Sequence, residues 1–237
     1  THIIPGGFAE YFKVPAPNLK IDTFKIPNEI SFEEATLIEP VACCIRALRK
    51  SKIEPGDSVA IIGAGPSGII HTILAKHFGA SQVFISDLVD YRLKAAENAG
   101  ASVTVNPARE DFAKRVRAET NGRGADLVIV TAPSVKAYME ALRTCRKGGA
   151  ICVFAPTSPN DKIEVSPNRL FFNEIKIIPS YSTSHVETRM AMQLIFRGII
   201  DTKKLITHRF PLERIAEAFK TAKESKECLK IVILNTK

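Results

Sequence analysis

The sequence has no tryptophan, no Cys-x-x-Cys pair and no long apolar run. Because its five cysteines lack that spacing, zinc ribbons and redox pairs are excluded, and we interpret them as buried free thiols. No apolar stretch reaches the roughly 18 residues of a membrane span. The start Thr1-His2-Ile3-Ile4-Pro5 lacks the features of a signal peptide. These absences predict a cytoplasmic protein that does not contact a membrane.

Negative charge is also scarce, since the formal net charge is +8. The basic residues are spread along the chain, with one short cluster at Arg46–Lys52 that has no interleaved aromatic residues. We therefore expect no nucleic-acid partner and interpret the charge as a solvated surface that attracts anionic cofactors. With 45% hydrophobic and 24% charged residues, the composition is that of an ordinary globular protein.

Apolar runs rich in Val and Ile alternate with longer amphipathic stretches from Ser58 onward. This alternation is typical of a parallel sheet with crossover helices, so we predict a doubly wound α/β domain. The predicted strands are 58–62, 82–86, 102–105, 126–131 and 150–155. The predicted helices are 67–78, 91–99, 110–120 and 135–145, each closed by a glycine.

The two ends of the chain have a different pattern. Residues 6–14 predict a strand followed by an extended loop, because Pro15 and Pro17 come next. Residues 189–196 and 212–222 predict helices, and residues 229–234 predict a closing strand. We expect these ends to lie outside the central domain.

A buried predicted strand runs directly into a G-x-G-x-x-G sequence that opens a helix. Gly63 permits the tight turn, Gly65 lets a pyrophosphate approach the backbone, and Gly68 allows close packing of helix on strand. The helix begins at Pro66 and Ser67, where unpaired N–H groups and the positive end of the helix dipole favour phosphate. The pattern predicts a dinucleotide cofactor.

An acidic residue, Asp87, follows the second predicted strand about 20 residues after the last glycine, where the fingerprint expects a carboxylate for the ribose hydroxyls. Asp87 favours NAD because it would repel a 2′-phosphate, although Arg92 nearby keeps NADP open. The alternative is a glycine-rich turn in a nucleotide-free α/β fold, with Asp87 as a helix cap.

Glu39 lies in an apolar helical stretch, Ala35–Cys44. A carboxylate in such surroundings is costly unless it is paired, bound to a metal or at the surface. From these residues alone, a cap or a solvent-facing position for Glu39 and a metal ligand are equally open.

Five segments in this order resemble the medium-chain dehydrogenase family, zinc-dependent alcohol dehydrogenase type, and most closely its sorbitol and threonine dehydrogenase branches. They are Gly7–Tyr11, Leu37–Pro40, Gly63–Gly68, Asp87–Leu93 and Ile206–Leu212. The resemblance implies a Rossmann doubly wound parallel sheet plus part of a GroES-like β-barrel catalytic domain. It places the catalytic part at 1–43, the NAD-binding domain at 44–181, and a linker helix with the return to the catalytic domain at 182–237.

The resemblance also implies a reaction and a set of site residues. Zinc would polarise a secondary alcohol, a polyol or related substrate, which then transfers a hydride to NAD. Glu39 would be the catalytic carboxylate that contacts zinc. Thr131, Ala155 and Tyr181 would lie near the adenosine and nicotinamide, and Lys230 near the pyrophosphate.

The sequence departs from the family pattern where zinc is concerned. The family takes its other ligands from a Cys and a Gly-His-Glu segment in an amino-terminal lobe, and neither is here. We therefore expect a truncated chain that is inactive alone. The alternatives are a zinc-free reductase that uses NAD(P)H and a fragment that only binds NAD.

The resemblance further implies a homodimer or homotetramer. The family pairs its cofactor domains through an edge strand, for which the apolar run Leu170–Ile178 is the candidate. His208 and Arg209 lie where the family's chain returns to the catalytic domain, and we interpret both as structural.

Overall fold

The computed structural model describes residues 6–235, which form two compact units. One unit combines the chain up to Glu39 with the chain from Ser184 onward, and the other comprises Pro40–Thr183. Within residues 6–235, no helix has both the length and the apolar character needed to cross a lipid bilayer.

The unit Pro40–Thr183 is built on a six-stranded parallel sheet in the order β3-β2-β1-β4-β5-β6. Its strands are β1 Ser58–Ile62, β2 Gln82–Ser86, β3 Val103–Val105, β4 Ala125–Val130, β5 Cys145–Val153 and β6 Lys176–Pro179. This is the strand order of a doubly wound dinucleotide-binding sheet. The predicted parallel α/β fold is confirmed.

Helices connect these strands. They are α3 Ile38–Ser51, which crosses the boundary between the units, and then α4 Pro66–His77, α5 Asp90–Asn98, α6 Phe112–Glu119, α7 Val135–Thr144 and α8 Pro167–Asn173. The chain begins α6 and α7 at polar caps: the Asp111 side chain accepts from the Lys114 N–H and the Ser134 hydroxyl from the Ala137 N–H. The caps and the closing glycines set helix lengths that return the chain to the sheet.

The core of this unit lies on the sheet. All five residues of β1 are buried, and Ala60, Phe84 and Val128 of three neighbouring strands pack in one apolar cluster. Strands covered on both faces need no polar alternation, which is why short continuous Val and Ile runs formed them.

The other unit contains α1 Ala16–Ile21, α2 Phe32–Ala35, α9 His185–Phe196, β7 Ile206–Pro211, α10 Ile215–Glu224 and β8 Lys230–Leu234. Strands β7 and β8 form a two-stranded parallel sheet, on which α10 packs. Two short 3₁₀ turns complete it, at Thr202–Lys204 and Leu212–Arg214. The GroES-like assignment and the predicted domain boundaries stay predictions.

The strand predicted at residues 6–14 is wrong. In the described chain no strand is assigned there, and Phe8, Tyr11 and Phe12 are exposed. A strand requires a partner ladder, whereas the contacts here are an edge-on ring contact from Phe8 to Phe219 and Asn235 side-chain bonds to nearby carbonyls. The extended loop predicted after it contains α1 instead.

The apolar run Leu170–Ile178, predicted to supply one edge strand, contains the end of a helix and the start of a strand. Its first half completes α8, Glu174 adopts the left-handed conformation that ends this helix, and its second half enters β6. Since β6 is the last strand of the sheet, the edge position itself is where we expected it.

Candidate functional site

The turn after β1 is built around a glycine that no other residue can replace without strain. Gly63 has a φ of +106°, and a Cβ there would lie 2.7 Å from the Thr131 hydroxyl oxygen. Its N–H donates to the Ser86 carbonyl at 2.8 Å, which ties the turn to the end of β2. The turn therefore lies at the carboxyl ends of two adjacent strands.

The next two glycines of the fingerprint have opposite surroundings. A Cβ on Gly68 would lie 2.0 Å from the Gly63 carbonyl oxygen, so α4 packs directly on the turn. A Cβ on Gly65 would meet nothing within 4 Å, so its surface is open. Pro66 is the first residue of α4, and the amides of Ser67 and Gly68 belong to the first turn, where helices lack internal acceptors.

Asp87 follows β2 and is held by backbone amides. Its Oδ2 accepts from the Ala64 N–H at 2.8 Å and its Oδ1 from the Val89 N–H at 2.9 Å. Because each carboxylate oxygen accepts more than one bond, the fixed group retains capacity for a ligand hydroxyl. The bond to Ala64 places this carboxylate beside the glycine turn.

A cavity of about 910 Å³ opens at this edge. Gly63, Asp87 and Arg92 all line it, so three predicted site residues are brought together. Further lining comes from Ala132, Ser134 and Lys136. The volume lies within the range of small-molecule and cofactor sites.

Ion pairs fix part of the cavity wall. The Arg143 guanidinium contacts Asp111 at 2.5 Å and Glu140 at 2.7 Å. The Lys114 N–H and this guanidinium lower the pKa of Asp111. Arg92 differs, since its buried Nε has no hydrogen-bond partner among the described residues. Arg92 therefore places a positive charge in the cavity wall, and no carboxylate of the described residues accepts from its Nε.

Two other predicted residues follow the strands β4 and β5. The Thr131 hydroxyl donates to the Ile62 and Gly63 carbonyls at 3.0 and 2.8 Å, so this side chain holds the turn. Ala155 follows β5, and its carbonyl accepts from the Tyr138 hydroxyl. Burial raises the pKa of Tyr138, which keeps this phenol a donor.

Three other predicted residues, Tyr181, Glu39 and Lys230, do not line this cavity. Tyr181 follows β6 and is 87% exposed. Glu39, in the first turn of α3, and Lys230, the first residue of β8, belong to the other unit. The roles of these three residues stay predictions.

His208 and Arg209 have structural partners. The His208 Nδ1 lies 2.9 Å from the Thr207 hydroxyl, and the Arg209 guanidinium contacts Glu33 at 2.8 Å. These contacts agree with the structural interpretation of both residues.

One buried group was missed by the sequence analysis. His71 of α4 is fully buried, with its Nδ1 2.8 Å from the Ser67 carbonyl and its ring edge-on to Phe154. Burial lowers its pKa to about 4, so the imidazole is neutral near pH 7. The available signal was a histidine inside the apolar run Ile69–Leu74.

The fold and the site together define a class. A parallel sheet in this order, with a glycine turn after β1 and a carboxylate after β2, is a Rossmann-type α/β domain. More narrowly, residues 66–197 match the family model of zinc-binding dehydrogenases. The match covers more than half of the chain, and the chain belongs to this family.

Named relatives agree with this assignment. The chain is 33% identical to the sorbitol dehydrogenase of Bacillus subtilis (strain 168) over 234 residues, 98% of the chain and 65% of that protein. It is 33% identical over 230 residues to the L-threonine 3-dehydrogenase of the same organism, 97% of the chain and 64% of that protein. The crystal structure described as a zinc-binding dehydrogenase from Sinorhizobium meliloti 1021, bound to NADP, superposes on the chain with a TM-score of 0.82 at 25% identity. The superposition covers 90% of the chain and 62% of that structure. The chain thus spans less than two thirds of the length of these relatives.

Proposed function

We propose that this chain binds NAD at the carboxyl edge of its six-stranded sheet. The observation that carries the proposal is the position of the Asp87 carboxylate, which the Ala64 N–H holds beside the Gly63 turn at one cavity, with α4 beginning at Pro66 directly after that turn. The arrangement combines a phosphate-binding helix terminus with an acceptor for ribose hydroxyls.

Each residue has a definite task in this proposal. The pyrophosphate lies over Gly65, where no side chain intervenes, and receives amide donors from Ser67 and Gly68. Asp87 accepts from the adenosine ribose. Arg92 lies on the cavity wall beside it.

The nicotinamide half extends toward the ends of the later strands in this proposal. Thr131 and Ala155 follow β4 and β5 there, and Tyr181 follows β6. Lys230 supplies a charge for the pyrophosphate. These assignments rest on the family pattern carried by the sequence.

For the whole protein, we propose reversible oxidation of a secondary alcohol, a polyol or a hydroxylated amino acid. Bound NAD supplies the acceptor for the hydride that leaves the alcohol carbon. The names of the two relatives support this substrate class, since sorbitol and threonine both carry a secondary hydroxyl. The chain's own contribution is to hold and orient the cofactor.

Zinc does not fit the described residues as a complete site. Residues 6–235 contain no cluster of three or more His, Cys, Asp or Glu side chains that could hold a metal. Glu39 is therefore proposed as a single carboxylate beside zinc. We propose that the chain alone binds NAD without turnover.

We also propose that two copies pair through β6. This strand ends the sheet, and apolar side chains are exposed in it, at Ile177, and in the preceding helix α8, at Phe171 and Phe172. Covering such side chains and an open strand edge favours self-association.

Calorimetric titration of the chain with NAD and NADP tests the cofactor assignment. We expect saturable binding with preference for NAD, and Asp87→Asn should weaken NAD binding about tenfold because a charge-assisted bond to the ribose is lost. Asp90→Asn is the matched control, since Asp90 starts α5 close by but pairs with Arg109. Absence of NAD binding, or equal loss in both variants, would contradict the proposal.

A further inference from the structure

A second cavity lies at the amino ends of the strands, which form the edge of the sheet opposite the glycine turn. It has a volume of about 420 Å³ and is formed where β4 and β5 begin and α6 ends. Five cationic side chains line it, namely Arg117, Arg123, Arg146, Lys147 and Arg169. None of its described lining residues is acidic.

Within residues 6–235, a single carboxylate, Asp126, contacts these cations. Its Oδ1 accepts from Arg123 at 3.2 Å and from Arg146. Its Oδ2 accepts from the Ser58 N–H and hydroxyl at 2.8 and 2.5 Å. Asp126 is thus fully used by two guanidinium groups and by the start of β1, and the other three cations have no share in it.

Arg117 and Arg169 are held in place by neutral acceptors. Arg117 donates to the Gly122, Arg123 and Arg143 carbonyls at 3.2, 3.2 and 2.8 Å. Arg169 donates to the Leu142 carbonyl at 2.8 Å. Carbonyls orient a guanidinium but do not neutralise it, and neither arginine forms an ion pair with the described carboxylates.

Other arginines of this unit show the usual arrangement. Arg115, on the same helix as Arg117, pairs with Glu110 and Glu119 at 3.2 and 3.0 Å. Arg143, whose carbonyl accepts from Arg117, pairs its own guanidinium with Asp111 and Glu140. Three of the five cations of this cavity, Arg117, Lys147 and Arg169, therefore have no carboxylate partner among the described residues, and carbonyls orient the two arginines.

The floor of the cavity is apolar and uncharged. Leu142, Cys145 and Ile175 line it. Burial raises the pKa of the Cys145 thiol to about 12 even though Arg146 and Arg117 nearby oppose the shift, so the thiol remains neutral. A ligand here would face guanidinium groups over a surface that competes poorly for their hydrogen bonds.

We propose that this cavity is a binding site for a compact phosphate-bearing anion, separate from the nucleotide site. Guanidinium groups donate paired hydrogen bonds to phosphate oxygens, and oriented arginines lose little freedom on binding. The volume lies within the small-ligand range and leaves room for a phosphorylated metabolite. Because all strands are parallel, the amino ends of β4 and β5 lie at the edge opposite the glycine turn.

Titration calorimetry of the chain with inorganic phosphate and with pyrophosphate, in phosphate-free buffer containing saturating NAD, tests the site. We expect saturable binding that weakens as salt is added. Arg169→Gln and Lys147→Gln should each weaken it about tenfold, because each removes a charge-assisted donor. Arg117 is left intact because its three carbonyl bonds also hold the fold.

Arg115→Gln is the matched control, since it removes the same charge from α6 outside the cavity. Tighter binding of pyrophosphate assigns the site to diphosphate ligands, and tighter binding of phosphate assigns it to monophosphate ligands; both support the proposal. Equal weakening in the control and the cavity variants would overturn it, as would the absence of saturable binding. Competition by NAD, measured by repeating the titration without it, would also overturn it by placing the anion at the glycine turn.

Discussion

The two edges of one parallel sheet, where we propose two anion sites, are built in different ways. At the carboxyl edge, the chain turns at Gly63 beside the cavity, and Gly63 and Gly68 leave no room for a side chain, whereas the surface over Gly65 is open. At the amino edge, long cationic side chains such as Arg117 and Arg169 converge over an apolar floor.

This difference follows from the geometry of the sheet. Helices begin at the carboxyl edge, so their N–H groups and positive dipole ends are concentrated there. Helices end at the amino edge, where the dipole opposes anions and positive charge must come from side chains. Substitutions that add atoms should therefore damage the first edge, while substitutions that remove charge should damage the second.

The largest effect is expected from Gly68→Ala. The new Cβ would lie 2.0 Å from the Gly63 carbonyl oxygen, so α4 must move away from the turn. We expect a loss of about 3 kcal/mol in the free energy of unfolding, as for overpacked cores, measured by urea denaturation.

Gly65→Ala is the control for this substitution. Gly65 has a φ of −67°, which alanine adopts readily, and its Cβ would enter open space. Its free energy of unfolding should match that of the unmodified chain. Equal destabilisation by both alanines would show that close packing does not define this edge.

The edges should also differ in their response to acid. His71, behind the glycine turn, has a pKa lowered by burial to about 4, whereas burial raises the pKa of the Cys145 thiol at the other edge to about 12. Between pH 6.5 and 4, the unfolded chain binds a proton at His71 that the folded chain does not. As the pH is lowered from 6.5 to 4, the free energy of unfolding should therefore decrease by about 3 kcal/mol in total. Above pH 6.5, the contribution of His71 should be constant.

His71→Gln should remove that part of the pH dependence, measured by urea denaturation at several pH values. His77→Gln is the matched control, since His77 is an exposed histidine at the end of the same helix. Identical pH profiles for the unmodified chain and His71→Gln would rule out a neutral buried imidazole in the folded state.

Sequence predicted the carboxyl edge well because its determinants are local. The bounds of β1 and β2 match the predicted 58–62 and 82–86, and the glycine turn lies directly between β1 and α4. The strand β5 starts at Cys145 rather than at residue 150, because Gly148 and Gly149 concealed the continuation of the ladder. The strand expected at residues 6–14 failed because a strand also depends on a partner that local pattern cannot supply.

The amino edge was missed for the same reason. Arg117, Lys147 and Arg169 are far apart in sequence, and each has the pattern of a solvated helix or loop residue. Only the pairing of β4 with β5 and the position of α8 bring them to one cavity. Convergence of this kind depends on tertiary structure, so composition suggested a diffuse basic surface.

The smallest effect on stability, and the sharpest separation of the edges, is expected from Gly65→Val. The backbone accepts a side chain there, and no atom other than those of its chain neighbours lies within 4 Å of a Cβ, but the isopropyl group would occupy the path that we propose for the pyrophosphate. We expect NAD affinity to fall about 100-fold, which corresponds to about 2.7 kcal/mol, while the urea midpoint stays unchanged. Alanine at this position should give a smaller loss of affinity.

Phosphate binding at the cationic cavity should be the same in Gly65→Val as in the unmodified chain, because that cavity lies at the opposite edge. Unchanged NAD affinity in the valine variant would mean that the cofactor does not pass over Gly65, and the glycine turn would then have only its structural role beneath α4.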